Sequence, residues 1–155
     1  VKSTGKKRGG IDVNDLIKLI IEKKLANPDE IYGCSEHQVE ELEQKLDVKL
    51  PFAYRDFLLS IGRGAGRFFI GTDMFYEQIP LLNYYATELL QETGVEFHLP
   101  ENAFVFSMHQ GYAFAYFISS DGDDPPVYVY AENAVAPRMV SPSFSAYLTH
   151  SIEEH

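Results

Sequence analysis

The sequence predicts an α+β fold, a mainly antiparallel twisted sheet flanked by helices. Three observations lead to it. Apolar residues return at three- and four-residue spacing up to about residue 93. They then alternate on both sides of a short glycine turn between residues 103 and 118. Past residue 141 the helical spacing comes back. A chain of 155 residues, 45% of them hydrophobic, suffices for one ordinary domain with one core. The expected organisation is a basic flexible leader over residues 1–10 and a single domain over residues 11–155.

Asp12 or Asn14 can cap a first helix, in which Val13, Leu16, Ile17, Ile20 and Ile21 share a face until Asn27-Pro28 ends it. Ser35-Glu36-His37-Gln38 has the form of a capping box, the glutamine standing three residues after the hydroxyl. Val39, Leu42 and Leu46 follow on one side, with Glu36, Glu40, Glu41 and Glu43 on the other. Pro51 suits the first turn of a third helix carrying Phe52, Tyr54, Phe57, Leu58 and Ile61. Gly62 reads as its left-handed C-terminal residue, and Arg67–Ile70 reads as the start of the sheet. Pro80 opens another helix, with Leu81, Leu82, Tyr85, Leu89 and Leu90 recurring until Thr93-Gly94. Phe104, Phe106 and Met108 alternate with Ala103, Val105 and Ser107. Beyond His109-Gln110-Gly111, Tyr112, Phe114, Tyr116 and Ile118 alternate with Ala113, Ala115 and Phe117. That is a β-hairpin. Asp121–Pro126 reads as a turn, Val127–Tyr130 as a third strand, and Ser141-Pro142 as the start of a last helix with Phe144, Tyr147, Leu148 and Ile152 on one face.

Charge narrows the function classes. The formal net charge is −10, yet Lys2, Lys6, Lys7 and Arg8 place +4 in the first ten residues, which leaves −14 for the rest. A domain that acidic repels nucleic acid and anionic membrane and attracts basic protein surfaces. The leader lacks the interleaved aromatics of a nucleic-acid arm and reads as a flexible segment. No apolar run has the length of a membrane span and no secretory signal is visible, so the expected location is cytoplasmic. Cys34 is the single cysteine, so no internal disulfide and no cysteine metal cluster is possible.

Motifs that would carry chemistry fall short. Gly62–Arg67 is glycine-rich, but a helix precedes it and a strand follows, the reverse of a dinucleotide fingerprint. Asp121, Asp123 and Glu132 stand at calcium-loop spacing, but Pro125 and Pro126 occupy the positions of the sharp turn. The five histidines never stand at i, i+4, and HExxH is missing. Cys34 precedes a helix cap, a place where a thiol pKa can be lowered, but a structural or incidental cysteine is the favoured reading. No catalytic residues, no metal site and no cofactor are therefore expected. The candidate partner contacts are Asp121, Asp123 and Asp124 in the acidic turn, His109 in the hairpin turn, and the tyrosines Tyr112, Tyr116, Tyr128 and Tyr130 at alternating strand positions. Tyr rings either fill a core or form a recognition surface, and a mixture is expected. The Glu36, Glu40, Glu43 helix face is an alternative contact.

From Ser35 to Ile61 the order of residues resembles the SUKH superfamily, which includes the yeast Smi/Knr-type cell-wall regulators and many bacterial immunity proteins. The residues concerned are Ser35-Glu36-x-x-Val39-x-x-Leu42-Glu43-x-x-Leu46, Leu50-Pro51-x-x-Tyr54-Arg55-x-Phe57-Leu58 and a Gly-bearing turn. The strands 104–108, 112–117 and 127–130 and the Phe144…Tyr147-Leu148 helix fall in the family's order. The chain departs from it at Ile61-Gly62-Arg63-Gly64 and in having no Trp. The resemblance implies a cytoplasmic, non-enzymatic immunity protein that masks a bacterial toxin, often a nuclease and therefore basic. The alternative it implies is a regulatory protein-interaction scaffold without a toxin partner.

Overall fold

The structure is a computed structural model that describes residues 13–154. The basic leader and the Asp12 alternative for the first cap lie outside the described residues. In chain order the elements are α1 (Val13–Glu22), a 3-10 turn (Pro28–Glu30), β1 (Ile31–Tyr32), α2 (Glu36–Leu46), α3 (Phe52–Ile61), β2 (Gly64–Ala65), β3 (Thr72–Asp73), α4 (Ile79–Thr93), β4 (Ala103–His109), β5 (Ala113–Ile118), β6 (Val127–Ala131), β7 (Arg138–Ser141) and α5 (Phe144–Glu153). Strands β3 to β7 form one antiparallel sheet in sequence order, and β1 pairs with β2 apart from it. The α+β reading holds.

Local chemistry explains most boundaries. The capping box closes α2 as its sequence demands: Gln38 N–H donates to Ser35 Oγ at 3.1 Å, and Ser35 N–H donates to Gln38 Oε1 at 2.9 Å. Pro80 sits in the first turn of α4, where its missing N–H costs nothing, and Gly94 ends that helix at φ 71°. Gly62 differs from expectation: its φ is −61°, in the right-handed region. Glycine is needed there for room, since a Cβ would lie 2.7 Å from Leu58 Cα and 2.9 Å from Cys34 Sγ. Arg67–Ile70 forms turns rather than a strand; the sheet begins at Thr72. Ser141 belongs to β7, and the cap of α5 is Ser143, whose Oγ accepts from Ala146 N–H at 3.0 Å.

One aromatic core joins the helices to the sheet. Tyr54 of α3, with no solvent exposure, has ring centroids 5.2 Å from Phe104 and Phe117, 5.3 Å from Phe144 and 5.7 Å from Phe57. A bulge between Val105 and Ser107 interrupts the alternation of β4. It leaves Phe104 and Phe106 on the side of Tyr54, while Met108 pairs with Phe114 on the opposite side. There Phe114 meets Tyr130, whose hydroxyl shares a 3.0 Å hydrogen bond with Thr93 Oγ1 at the end of α4. Helix α4 thus covers one face of the sheet, and α3 and α5 cover the other. Every residue of β4 from Ala103 to Met108 is buried, as a strand covered on both faces requires.

Candidate functional site

The predicted contact residues do not converge. Tyr130 is fully buried and Tyr116 nearly so. Half-buried Tyr128 stacks on Tyr116 with centroids 5.3 Å apart. Of the four tyrosines, Tyr112 alone is exposed, at 43%, and it lies in the hairpin turn just before β5 rather than in the strand. It packs edge-on against His109, whose Nδ1 shares a 2.7 Å hydrogen bond with Thr72 Oγ1. Exposed Asp121 and Asp123 lie beyond the other end of β5. Six extended residues put those two ends about 20 Å apart.

Asp124 has a structural task. Its Oδ1 accepts from Ser145 N–H at 2.9 Å in the first turn of α5, and the neighbouring Asp123 carbonyl accepts from Ala53 N–H at 2.9 Å in the first turn of α3. The acidic turn therefore ties together the starts of two helices. Burial raises the Asp124 carboxyl above its ordinary range, partly offset by hydrogen bonds from Ser145 and Phe144. A raised pKa means that the folded state holds a proton the unfolded chain has released, so this contribution is complete at acid pH and lost as pH rises through the folded pKa. Asp124→Ala is expected to lose about 1 kcal/mol of stability with the cap. Its deficit against the parent chain should grow on acidification, which thermal melts at two pH values would check.

The other sequence candidates are occupied as well. Burial pushes the Cys34 thiol up to about 11, with Arg63 acting the other way. The lowered thiol pKa considered for this position is thus corrected: burial outweighs proximity to the helix start. Cys34 in the folded chain should resist a thiol reagent at about pH 8 and label fully in denaturant; labelling at equal rates in both would contradict its burial. In the glycine-rich loop, Arg63 N–H donates to the Tyr32 carbonyl at 2.8 Å and Arg67 N–H to the Leu25 carbonyl at 2.7 Å. Those N–H groups point into the protein rather than at an anion. On α2, Glu43 accepts from Leu50 N–H at 2.8 Å and pairs with Arg55 at 2.9 Å, and Glu36 lies 3.4 Å from the same guanidinium. One guanidinium thus serves two carboxylates of that face, while Glu40 stays exposed.

A different surface emerges on α4. Its buried stripe is Ile79, Leu82, Ala86, Leu89 and Leu90, not the one read from Leu81 and Tyr85. Leu81, Tyr84 and Tyr85 consequently point outward, exposed by 50%, 60% and 38%. The rings of Tyr84 and Tyr85 lie 5.8 Å apart, and the Tyr84 hydroxyl donates to Glu88 Oε2 at 2.9 Å. A groove of about 630 Å³ runs beside the start of the helix, lined by Glu41, Leu42, Gln44 and Lys45 of α2 and by Tyr76, Glu77 and Pro80.

The charge around this surface is one-sided. From Phe68 to Pro137 the sequence has no Lys and no Arg, while every acid from Asp73 to Glu132, ten in all, falls within that stretch. Of the nine Lys and Arg beyond residue 10, eight lie between Lys18 and Arg67. Apart from Arg138 on the edge strand β7, the cations thus belong to α1, α2, α3 and the loops beside them, whereas α4 and the strands β3 to β6 have none. This asymmetry was available from sequence as the spacing of basic residues, a signal that a net charge conceals. Among the described residues, no three His, Cys, Asp or Glu gather to hold a metal ion, and no helix is long and apolar enough to cross a membrane.

Comparison with known proteins bears on this arrangement. No curated protein matches the chain. A family model described as SUKH_6, SMI1-KNR4 cell-wall, matches residues 36–148, from the first turn of α2 into α5. That span begins just after the Ser35 cap and contains α2, the aromatic core around Tyr54 and the whole five-stranded sheet. The chain belongs to this SMI1-KNR4 family and thereby to the SUKH superfamily.

Proposed function

We propose that this protein is a cytoplasmic immunity protein, without catalytic activity of its own, that neutralises a basic bacterial toxin by covering its working surface. The toxin class favoured is a nuclease, because a groove that holds phosphates is basic and an acidic protein can fill it. One observation carries the reading: α4 and the strands β3 to β6 bear acids without a Lys or Arg of their own, and α4 also displays exposed tyrosines. Acids account for attraction and fast association, and the apolar rings account for residence once contact is made. Membership of a family of protein-interaction and immunity modules supports a protein partner in general. Exposed Asp121 and Asp123 remain proposed contributors to the field around these elements, and Tyr112 and His109 a proposed contact at the far end of the sheet.

A second reading is favoured by the cell-wall description of the matching family. In it the chain is a regulatory interaction module with a protein partner and no toxin. Co-expression separates the two. Where a toxin-like protein is encoded beside this chain, cells producing it should survive when the chain is present, and the pair should co-purify. Survival without the chain, or a pair that never associates, would falsify the immunity reading.

A further inference from the structure

We propose that the outer face of α4 is a docking site for an arginine-bearing segment of a protein, with Tyr84 and Tyr85 as stacking platforms and Glu77, Glu88 and Glu92 as charge partners. The proposal rests on the reading above that the partner is a basic protein, and it names the surface and the chemistry recognised.

Three of the nine large hydrophobic side chains exposed among the described residues fall within the five positions 81–85. A surface helix of an isolated protein has no need of two neighbouring exposed tyrosines, since each leaves apolar ring in water. Tyrosine is, however, enriched at interface centres, where it supplies a rigid ring with few rotatable bonds. The hydrogen bond from Tyr84 to Glu88 fixes one ring beside a carboxylate. Arginine suits that pair of groups: its flat guanidinium stacks on a ring while its N–H groups reach the neighbouring oxygen atoms. Lysine presents a compact charge and gains less from the ring.

Charge selects the class of partner. Glu77, Glu88 and Glu92 stand in the stretch that contains no Lys or Arg, so no cation of α4 itself competes for them. Phosphates of nucleic acid or lipid would be repelled. A copy related by two-fold symmetry would lay acid against acid. Pro80, one helical turn before Tyr84, opens onto the groove lined by Glu41, Tyr76 and Glu77, with Lys45 its one cation. A second side chain of the same segment has a place there.

The test uses the whole chain, 15N-labelled, titrated with a blocked nona-arginine peptide and separately with nona-lysine. The largest amide shifts are expected between Tyr76 and Glu92, with the arginine peptide bound at least about three-fold more tightly than the lysine peptide. The double variant Tyr84→Ser, Tyr85→Ser should retain its melting temperature and bind nona-arginine at least about three-fold more weakly. Shifts centred on Asp121 and Asp123, or spread evenly over all acids, would overturn the proposal. So would equal binding of the two peptides together with no loss in the serine variant. A chain that binds the peptide on α4 but rescues no cell from a toxin keeps this site and loses the toxin reading; rescue with shifts elsewhere does the reverse.

Discussion

Replacing Tyr54 with alanine is expected to cost about 3–5 kcal/mol, a large share of the 5–15 kcal/mol that holds a domain of this size folded. The ring touches both layers. Phe104 and Phe117 belong to the sheet, Phe57 to the same helix and Phe144 to α5, so a cavity here removes the contact between three elements at once. Collapse is opposed because those partners are themselves packed: Phe104 and Phe117 stack at 5.3 Å, and Phe106 and Phe144 meet edge to face at 5.1 Å. The hydroxyl behaves differently. It is buried and has no hydrogen-bond partner among the described residues, and burial drives its pKa well upward. Tyr54→Phe should therefore leave stability unchanged or raise it by about 1 kcal/mol. Chemical denaturation of both variants checks the pair. Equal losses in alanine and phenylalanine would mean that the oxygen, not the ring, carries the contribution.

The second large effect is expected at Gly33. The segment leaving β1 runs against the C-terminal end of α3: Cys34 N–H donates to the Leu58 carbonyl at 2.7 Å, and the Tyr32 carbonyl accepts from Arg63 N–H at 2.8 Å. Held from both sides, Gly33 has no freedom to retreat, and an added Cβ would overlap the Leu59 carbonyl. Gly33→Ala is expected to cost about 3 kcal/mol or more, because the atom that must move is helix backbone. Gly94→Ala, where a Cβ meets nothing within 4 Å, provides the control at φ 71°. It should cost only the smaller penalty of a left-handed residue, about 1 kcal/mol. Comparable melting temperatures for the two variants would contradict the crowding at Gly33.

What was legible in the sequence is what local chemistry dictates. Ser35 and Gln38 satisfy each other's backbone within four residues, so the start of α2 could be read without knowing the rest of the fold. The hairpin of β4 and β5 was legible because a short turn and alternation suffice to define it. Strand β7 was missed. It is an edge strand with Met139 and Val140 exposed, so it lacks the apolar and polar alternation that burial imposes. Strands β1, β2 and β3 are two residues each, too short for any period. At Gly62 the backbone of Leu58 and the sulfur of Cys34 together leave no room for a Cβ, and the second of these neighbours, distant in sequence, is one no local rule contains.

The candidate site was less legible than the fold. Tyr116, Tyr128 and Tyr130 share a strand face with Phe114, and whether such a face meets water depends on whether a helix lies over it. Helix α4 does. Tyr130 consequently bonds Thr93 instead of a partner. The same helix hid its own outer face from periodicity, because Leu81, Leu82, Tyr84 and Tyr85 leave two stripes equally apolar until Ala86 proves buried. Asp124 looked like its acidic neighbours, and the structure alone separates the capping carboxylate from Asp121 and Asp123.

In the proposed function, the acids of α4 and the sheet act before contact, by drawing in a basic partner over a distance that salt sets. The decisive measurement is thus the association rate constant between this chain and the basic toxin domain proposed as its partner, taken from about 50 mM to about 500 mM NaCl. Electrostatic capture predicts a fall of at least about ten-fold, with the dissociation rate changing much less. An association rate constant indifferent to salt would contradict it.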